Sequence, residues 1–118
     1  QLVRQFRVDV GGALVAVQRV VPAMKAARGG TILLTGGGLA LEPWPQMTAL
    51  AIGKAGLRSL ALSLHKELKT AGIHVATITV DGLVDKGGKL DPDGIAGVYW
   101  ELHRQPQGAF EAERVLRA

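Results

Sequence analysis

The sequence predicts an α/β fold: a partial three-layer unit in which helices flank a short parallel sheet. The first observation is that residues 31–35 and 74–80 are short, β-branched and apolar, as buried strands are. The second is that one amphipathic helix, over residues 49–70, lies between these strands and leaves only short connections. A strand, a helix and a strand connected in this way form a right-handed crossover, so the two strands are expected to be parallel and adjacent.

Length and composition are those of one globular domain that covers residues 1–118. The chain has 118 residues, of which 47% are hydrophobic and 20% charged, and no linker or internal repeat divides it. Its first residue, Gln1, already lies inside a helical pattern, which is typical of a truncated or processed chain. We therefore expect a single domain.

The charge and the residue content argue against several kinds of protein. The net charge of +4 is spread over the predicted helices without a basic run, so no nucleic-acid partner is expected. The absence of cysteine excludes disulfides and thiolate metal sites, and the three histidines lack metal-ligand spacing. No apolar run approaches the ~20 residues that span a bilayer, and no signal peptide opens the chain. We expect a soluble cytoplasmic protein that binds no metal, membrane or nucleic acid.

Residues 2–27 show the 3.6-residue period of an amphipathic helix. Its apolar stripe consists of Phe6, Val10, Leu14, Val17, Val21 and Met24. Gly11 and Gly12 are expected to weaken or distort the helix, at about 1 kcal/mol each relative to Ala, and Pro22 to bend its last turns. The helix is predicted to end at Arg28-Gly29-Gly30 and to serve as a packing layer.

A glycine-rich turn, Gly36–Gly38, is predicted to follow the first strand, where glycine permits positive φ angles or close approach of a ligand. Ligands of open α/β sheets bind in the crevice beyond the carboxyl ends of the strands, so this turn marks the predicted site. Residues 31–35 are apolar on both faces, which suits a central strand. In the loop that follows, Trp44 either lines a pocket or covers the edge of the core.

The predicted helix over residues 49–70 has two different faces. Leu57, Leu60, Leu64 and Leu68 form a core stripe, and Ala51, Ala55 and Ser59 form a stripe of small residues on another face. Because small residues let a second helix approach closely, this helix is expected to pack on two sides. Thr48 is the predicted N-cap, and Ala71-Gly72 ends the helix.

The last third of the chain predicts one more helix and one more strand. The segment from Asp81 to Val84 follows the second strand as a loop at the same sheet edge as the glycine-rich turn. Asp91, followed by a proline and a second aspartate, predicts the N-cap of a helix that extends to about His103. Residues 113–116 are the predicted last strand.

Three segments, taken in order, resemble the C-terminal half of a short-chain dehydrogenase/reductase, an NAD(P)-dependent oxidoreductase with a Rossmann-like fold. The first is Gly30-Thr31-Ile32-Leu33, which leads to Gly36-Gly37 where the family has a strand ending in Ser-Ser. The second begins at Lys54, which resembles the Lys of the family's Tyr-x-x-x-Lys pair. The third, from Glu67 to Val75, matches the family's E-L-x-x-x-G-I-x-V throughout. The resemblance covers residues 5–85 well and the tail more loosely.

The resemblance implies that only one of the family's catalytic residues, Lys54, is retained. Leu50 stands where the family has its catalytic Tyr, Gly37 where it has the activating Ser, and Asp9 where it has an Asn. In the family the Tyr phenol donates a proton to the substrate carbonyl, and general acid–base catalysis is typically worth about 10²–10⁴ in rate. Since Leu50 has no ionisable proton, this chain alone is expected to be catalytically incompetent.

The resemblance also implies an NAD or NADP site and says which residues would form it. The implied cofactor-binding residues are Gly36, Gly37, Lys54, Gly82 and Val84. The family's Pro-Gly pair after the second strand is replaced here by Asp81-Gly82. The glycine-rich turn that cradles the pyrophosphate belongs to the family's N-terminal half, which this chain lacks, so binding is expected only when such a half is supplied.

Two other functions are consistent with the same residues. The first is a non-catalytic interaction module that forms homo-oligomers through the helices over residues 2–27 and 49–70. This reading is favoured by the apolar and small-residue faces of those helices and by a first strand whose far edge carries none of the usual protection. The second is a small-molecule binder that uses the Gly36–Gly38 crevice and Trp44.

Overall fold

A computed structural model describes all of residues 1–118, and its helices and strands follow the predicted order. The elements are α1 (Leu2–Phe6), a π-helical turn (Arg7–Gly11), α2 (Gly12–Ala27), β1 (Gly30–Gly37), α3 (Thr48–Leu68), β2 (Ile73–Asp81), α4 (Pro92–His103) and β3 (Glu113–Arg117). Short 3-10 turns occupy Gly38–Ala40, Pro45–Met47, Lys69–Ala71 and Gln107–Ala109. No helix is both long enough and apolar enough to cross a membrane.

The three strands form one parallel sheet in the order β1-β2-β3. β1 pairs with β2 from Gly30 opposite Ile73 to Gly37 opposite Val80. β3 pairs with the second half of β2, from Glu113 opposite Thr77 onward. The predicted parallel and adjacent strands, and the α/β class, are confirmed.

The central strand of this sheet is β2, and β1 is an edge strand whose far side is open, as the sequence analysis expects for this chain. Residues Ile73–Thr79 are all buried, whereas β1 is only partly buried and Thr35 is exposed. An apolar sequence shows that helices cover both faces of a strand, but it does not say whether a strand also lies on each side. β1 is the edge strand here because no strand of this chain pairs with its far side.

Residues 2–27 are helical, with the local distortion that Gly11 and Gly12 predict. A π-helical turn separates α1 from α2, and Gly11 and Gly12 lie at its end, where a distortion is expected. Only Val17 of the predicted apolar stripe is buried, while Phe6 and Leu14 are 43% and 38% exposed. The N-terminal part of the stripe, with Phe6 and Val10, packs against Gly56 of α3, and its C-terminal part faces the core.

Helix α3 begins at Thr48 itself, so the predicted N-cap role of Thr48 is wrong. The Thr48 hydroxyl donates to the Pro45 carbonyl of the preceding 3-10 turn, over a distance of 2.8 Å. Its buried face also differs from the leucine stripe that the sequence predicts. The buried residues are Ala51, Gly53, Leu57, Ala61, His65 and Leu68. This face packs on the sheet, and the leucines at 60 and 64 are only partly buried.

The main core lies between the sheet and the layer of α2 and α3. Leu68, Ile73 and Val75 form its buried centre. Partly buried residues pack around that centre: Val21, Met24, Ile32, Leu64 and Ala71. Only 17 of the 118 residues are buried, and the molecule is a slab of 43 × 36 × 18 Å. One copy of the chain therefore leaves much apolar helix surface in water.

Helix α4 lies on the opposite face of the sheet. Asp91 is its N-cap, as predicted, and accepts hydrogen bonds from the N–H groups of Asp93 and Gly94. The Gly87 N–H also donates to this carboxylate, and these bonds lower the pKa of Asp91. Thr31 bonds to His103 Nδ1 at 2.8 Å and Thr35 bonds to the Tyr99 hydroxyl, which holds α4 over β1.

Strand β3 is tied to α3 and β2 by a charged cluster on the α3 face. The Arg58 guanidinium donates two hydrogen bonds to the Glu113 carboxylate, at 2.7 and 2.8 Å, and the Thr79 hydroxyl donates a third at 2.8 Å. Arg58 and, to a smaller extent, Thr79 lower the pKa of Glu113, although partial burial opposes them. The cluster fixes where β3 begins.

Candidate functional site

The carboxyl edge of the sheet brings together Lys54 and Gly37, as the sequence predicts. Helix α3 starts at this edge, so its second turn carries Lys54 past the end of β1. A methyl group built on Gly37 would lie 3.8 Å from Lys54 Cε and 3.9 Å from Cδ. The lysine stem therefore packs over Gly37, and Lys54 is partly exposed.

The glycines at this edge provide space and not unusual backbone angles, which corrects the prediction of a turn at Gly36–Gly38. Gly36 and Gly37 still belong to β1, and none of the three has a positive φ. A Cβ on Gly36 would lie 3.4 Å from the Thr77 hydroxyl. A Cβ on Gly38 would collide with the Asp81 carboxylate, so glycine is needed there to admit Asp81.

Asp81 and Arg117 are site residues that the sequence reasoning did not single out. They are opposite each other in the register of β2 and β3, and Arg117 Nη1 donates to Asp81 Oδ2 at 2.5 Å. Gly82 follows with φ +149°, and a Cβ there would lie 2.8 Å from both Ala118 Cβ and Leu90 Cδ1. A prediction that the last strand runs parallel to β2 would have brought these two residues together, but the sequence analysis gives that strand no orientation.

Asp9 approaches the same part of α3 from the π-helical turn. Its carboxylate accepts a hydrogen bond of 2.9 Å from Gln5 Nε2 and lies where a Cβ of Gly53 would be. Gly53 is buried and directly precedes Lys54. π-Helical turns are frequent at functional sites, and this one positions a carboxylate against the helix turn that bears the lysine.

Position 50 lies in the first turn of α3 and offers no proton. Leu50 is partly buried, and the single tyrosine of the chain, Tyr99, lies on the other face of the sheet, bonded to Thr35. Gly37 contributes no hydroxyl. The edge therefore has a lysine ammonium and two carboxylates, Asp9 and Asp81. It has no phenol at position 50 and no hydroxyl at position 37, where the family has its Tyr and Ser.

Val84 and Trp44 line two separate concavities. Val84 lines a concavity of about 550 Å³ on the α4 face, together with Thr35, Val80, Pro92, Ile95, Ala96 and Tyr99. Trp44 is 59% exposed and lines a different concavity of about 410 Å³, which does not include Gly36–Gly38.

No group of three or more His, Cys, Asp or Glu side chains could hold a metal ion. The roles of Gly36, Gly37, Lys54, Gly82 and Val84 in cofactor binding stay predictions.

Comparison with known sequences finds the same family that the motifs resemble. The profile of the short chain dehydrogenase family matches residues 1–85. A curated relative, 2,3-dihydro-2,3-dihydroxybenzoate dehydrogenase of Escherichia coli K12, is 35% identical over 74 residues. That match covers 63% of this chain and 30% of the relative, so the aligned part spans less than a third of the relative's length.

Solved structures show the same fold over nearly the whole chain. A short-chain dehydrogenase from Rhodopseudomonas palustris superposes with a TM-score of 0.86 at 29% identity, over 99% of this chain and 51% of the other. A metagenomic short-chain oxidoreductase in complex with NADP superposes with a TM-score of 0.83 at 25% identity. The superposition covers 95% of this chain and 48% of the oxidoreductase. This chain therefore spans about half the length of these solved proteins.

Replacing Gly53 with Ala tests the contact between Asp9 and α3. Gly53→Ala should lower the free energy of unfolding by about 1–3 kcal/mol, because the new methyl group would overlap the Asp9 carboxylate. Gly97→Ala is the matched control, because nothing lies near that helical glycine, and it should stabilise by about 0.5–1 kcal/mol. Urea unfolding measures both, and the contact is refuted if Gly53→Ala stabilises the protein as Gly97→Ala does.

Proposed function

This chain belongs to the short-chain dehydrogenase family, and we propose that it provides the lysine-bearing half of an NAD(P)-binding site without the proton donor that turnover requires. One observation carries the proposal. Lys54 packs over Gly37 at the carboxyl ends of β1 and β2, which is where open α/β sheets bind dinucleotides. The residue one helical turn earlier, Leu50, has no ionisable group.

The chemistry of the edge supports binding more than catalysis. An ammonium on a stem fixed against the strand end can donate hydrogen bonds to a ribose hydroxyl, and such charged bonds contribute about 1.5–3 kcal/mol. Proton transfer to a carbonyl oxygen needs an acid within about 3 Å of it, and neither Leu50 nor Gly37 can supply one. The carboxylate of Asp81 is paired with the Arg117 guanidinium and is not free to contact a substrate.

NADP is bound by the metagenomic relative whose structure this chain resembles. In the family that this chain resembles, the turn that holds the pyrophosphate belongs to the N-terminal half of the fold. The segment matched here belongs to the C-terminal half. We therefore propose that the cofactor binds across both halves, with Gly36, Gly37 and Lys54 on the nicotinamide side. Gly82 and Val84, which come just after β2, would contact the same cofactor.

A hydride-transfer assay tests the lack of a proton donor. The chain is incubated with NADH or NADPH and common aldehydes and ketones, and cofactor oxidation is followed by absorbance. No turnover is expected, because general acid catalysis cannot operate through Leu50. The positive control is the Escherichia coli relative, 2,3-dihydro-2,3-dihydroxybenzoate dehydrogenase, assayed with the substrate that its name gives. A kcat near 1 s⁻¹, within the ordinary range of enzymes, would contradict the proposal.

Self-association is a second proposed function, favoured by one continuous apolar surface. Ile52 lines both the concavity under Trp44 and a neighbouring one of about 460 Å³ formed with Leu2, Val3, Phe6 and Arg7. Five large side chains on this surface are more than 40% exposed: Leu2, Val3, Phe6, Trp44 and Ile52. Such a patch is uncommon on a monomer, and we propose that a second copy covers it through helices α1–α3.

An arginine on the small-residue stripe tests this surface. Ala55 is exposed and lines the concavity under Trp44, so Ala55→Arg places a charge in the proposed contact and should shift the assembly toward monomer. Ala96→Arg, on the exposed side of α4, is the control and should leave the assembly unchanged. Light scattering at micromolar concentration measures both. A stable monomer that is indifferent to Ala55→Arg would remove the proposal.

A further inference from the structure

The sheet has two open edges, and only one of them is protected against pairing with another strand. β3, at one edge, has five residues, of which Glu113, Arg114 and Arg117 are charged. β1, at the other edge, has eight residues, Gly30–Gly37, and contains no charged residue and no proline. Its register with β2 is continuous, so no bulge interrupts it. Because charges, prolines, bulges and short length are the usual means of blocking an edge, β1 is the edge that can accept a strand.

The far side of β1 leaves both backbone groups and apolar side chains uncovered. β1 pairs with β2 alone, so its other side presents a row of unpaired N–H and C=O groups. Ile32, Leu33 and Leu34 are only partly buried, whereas Ile73–Thr79 of the central strand are all buried. A strand added at this edge would pair the backbone groups and cover the apolar side chains.

The middle of β1 has nearly the same residue order in both directions. The sequence Thr31-Ile32-Leu33-Leu34-Thr35 has a threonine at each end and large apolar residues on both sides of its centre, Leu33. In an antiparallel pair of two copies with Leu33 opposite Leu33, each Thr31 faces a Thr35 and each Ile32 faces a Leu34. Pairs of threonines and pairs of apolar residues are cross-strand combinations that stabilise antiparallel strands.

The two faces of β1 agree with this pairing. Thr31 bonds to His103 and Thr35 bonds to Tyr99, so both threonines face α4. Ile32 packs against the main core on the opposite face. Residues that lie opposite each other in antiparallel strands share a face, so the threonine pairs would meet on the α4 face and the apolar pairs on the core face. Each layer of helices would then continue into the same layer of the second copy.

A second copy is also the occupant that the composition of this edge favours. A two-fold interface uses the same patch on both subunits, so the patch has to be complementary to itself. The uncharged and symmetric order of residues 31–35 meets this condition, because no residue would face a like charge.

We propose that two copies of this chain pair through β1, in antiparallel orientation with Leu33 opposite Leu33, and so join their three-stranded sheets into one sheet. This contact is separate from the apolar surface of α1–α3 and does not depend on cofactor binding. The two Lys54 sites would lie at opposite ends of the paired strands, because each site lies at the carboxyl end of its own β1.

Single cysteines test the pairing, because the chain contains no cysteine of its own. Leu33→Cys would face its own copy at the Cα separation of directly opposite antiparallel residues, about 4.5–5.5 Å, which a disulfide can span. Thr35→Cys is the matched control. It lies two residues further along and is more exposed, but four residues, or about 14 Å of strand, would separate it from its own copy.

Mild air oxidation at micromolar concentration, followed by non-reducing electrophoresis, measures both variants. Leu33→Cys should form a linked dimer at least about tenfold faster than Thr35→Cys, because thiols held together react at a higher effective concentration than thiols that collide. An equimolar mixture of Thr31→Cys and Thr35→Cys tests the register. These two positions would face each other, so the mixture should link quickly although neither variant does so alone.

The double variant Leu33→Cys/Ala55→Arg separates this contact from the α1–α3 surface. Its rate of linkage should equal that of Leu33→Cys, even if Ala55→Arg changes the light scattering. A loss of linkage in the double variant would assign the association to the α1–α3 surface and overturn the β1 contact.

Three further results would overturn it. Leu33→Cys that stays monomeric would mean that the edge is free or covered by another chain. Thr35→Cys that links as fast as Leu33→Cys would mean that the thiols meet by collision. A mixture of Thr31→Cys and Thr35→Cys that links no faster than the separate variants would exclude the proposed register.

Discussion

The parallel register of β1 on β2 is the constraint on which the candidate site depends. It sets Gly37 opposite Val80, so both strands end at one level and Asp81 reaches the space beside Gly38. Helix α3 starts at that level and runs back along the sheet, so only its first two turns can reach the edge. Leu50 and Lys54 lie in those turns, and a register slip of one residue would point β1 side chains to the other face.

Sequence reasoning succeeded where a single local pattern determines the structure. The two apolar strands, the crossover helix between them and the Asp91 cap follow from periodicity and residue type. The placing of Lys54 and Gly37 in one site came from the family resemblance. It failed where the answer depends on what lies next to a segment. The π-helical geometry of Arg7–Gly11 and the burial of His65 and His74 come from tertiary neighbours that no window of sequence contains.

The structure explains several glycines by the side chains that they admit. Gly53 makes room for Asp9 and Gly38 makes room for Asp81, and in both cases the partner is distant in sequence. A pattern of glycines alone predicts turns and positive φ angles, which is why Gly36–Gly38 were assigned to a turn although two of them continue β1. The carboxyl edge is consequently a packed surface of small residues and fixed charges, with the Lys54 stem lying across it.

The most direct measurement of the central claim is cofactor affinity with and without Lys54. The chain would be produced together with the half of the Rhodopseudomonas palustris dehydrogenase that it does not cover, and NADH and NADPH titrated by fluorescence. Saturable binding of one cofactor should weaken about tenfold in Lys54→Met, the loss of about 1.4 kcal/mol expected for one charged hydrogen bond. Lys66→Met, at an exposed lysine of the same helix, should change nothing. Absence of saturable binding, or equal affinity in Lys54→Met, would contradict the assignment of this edge as a dinucleotide site.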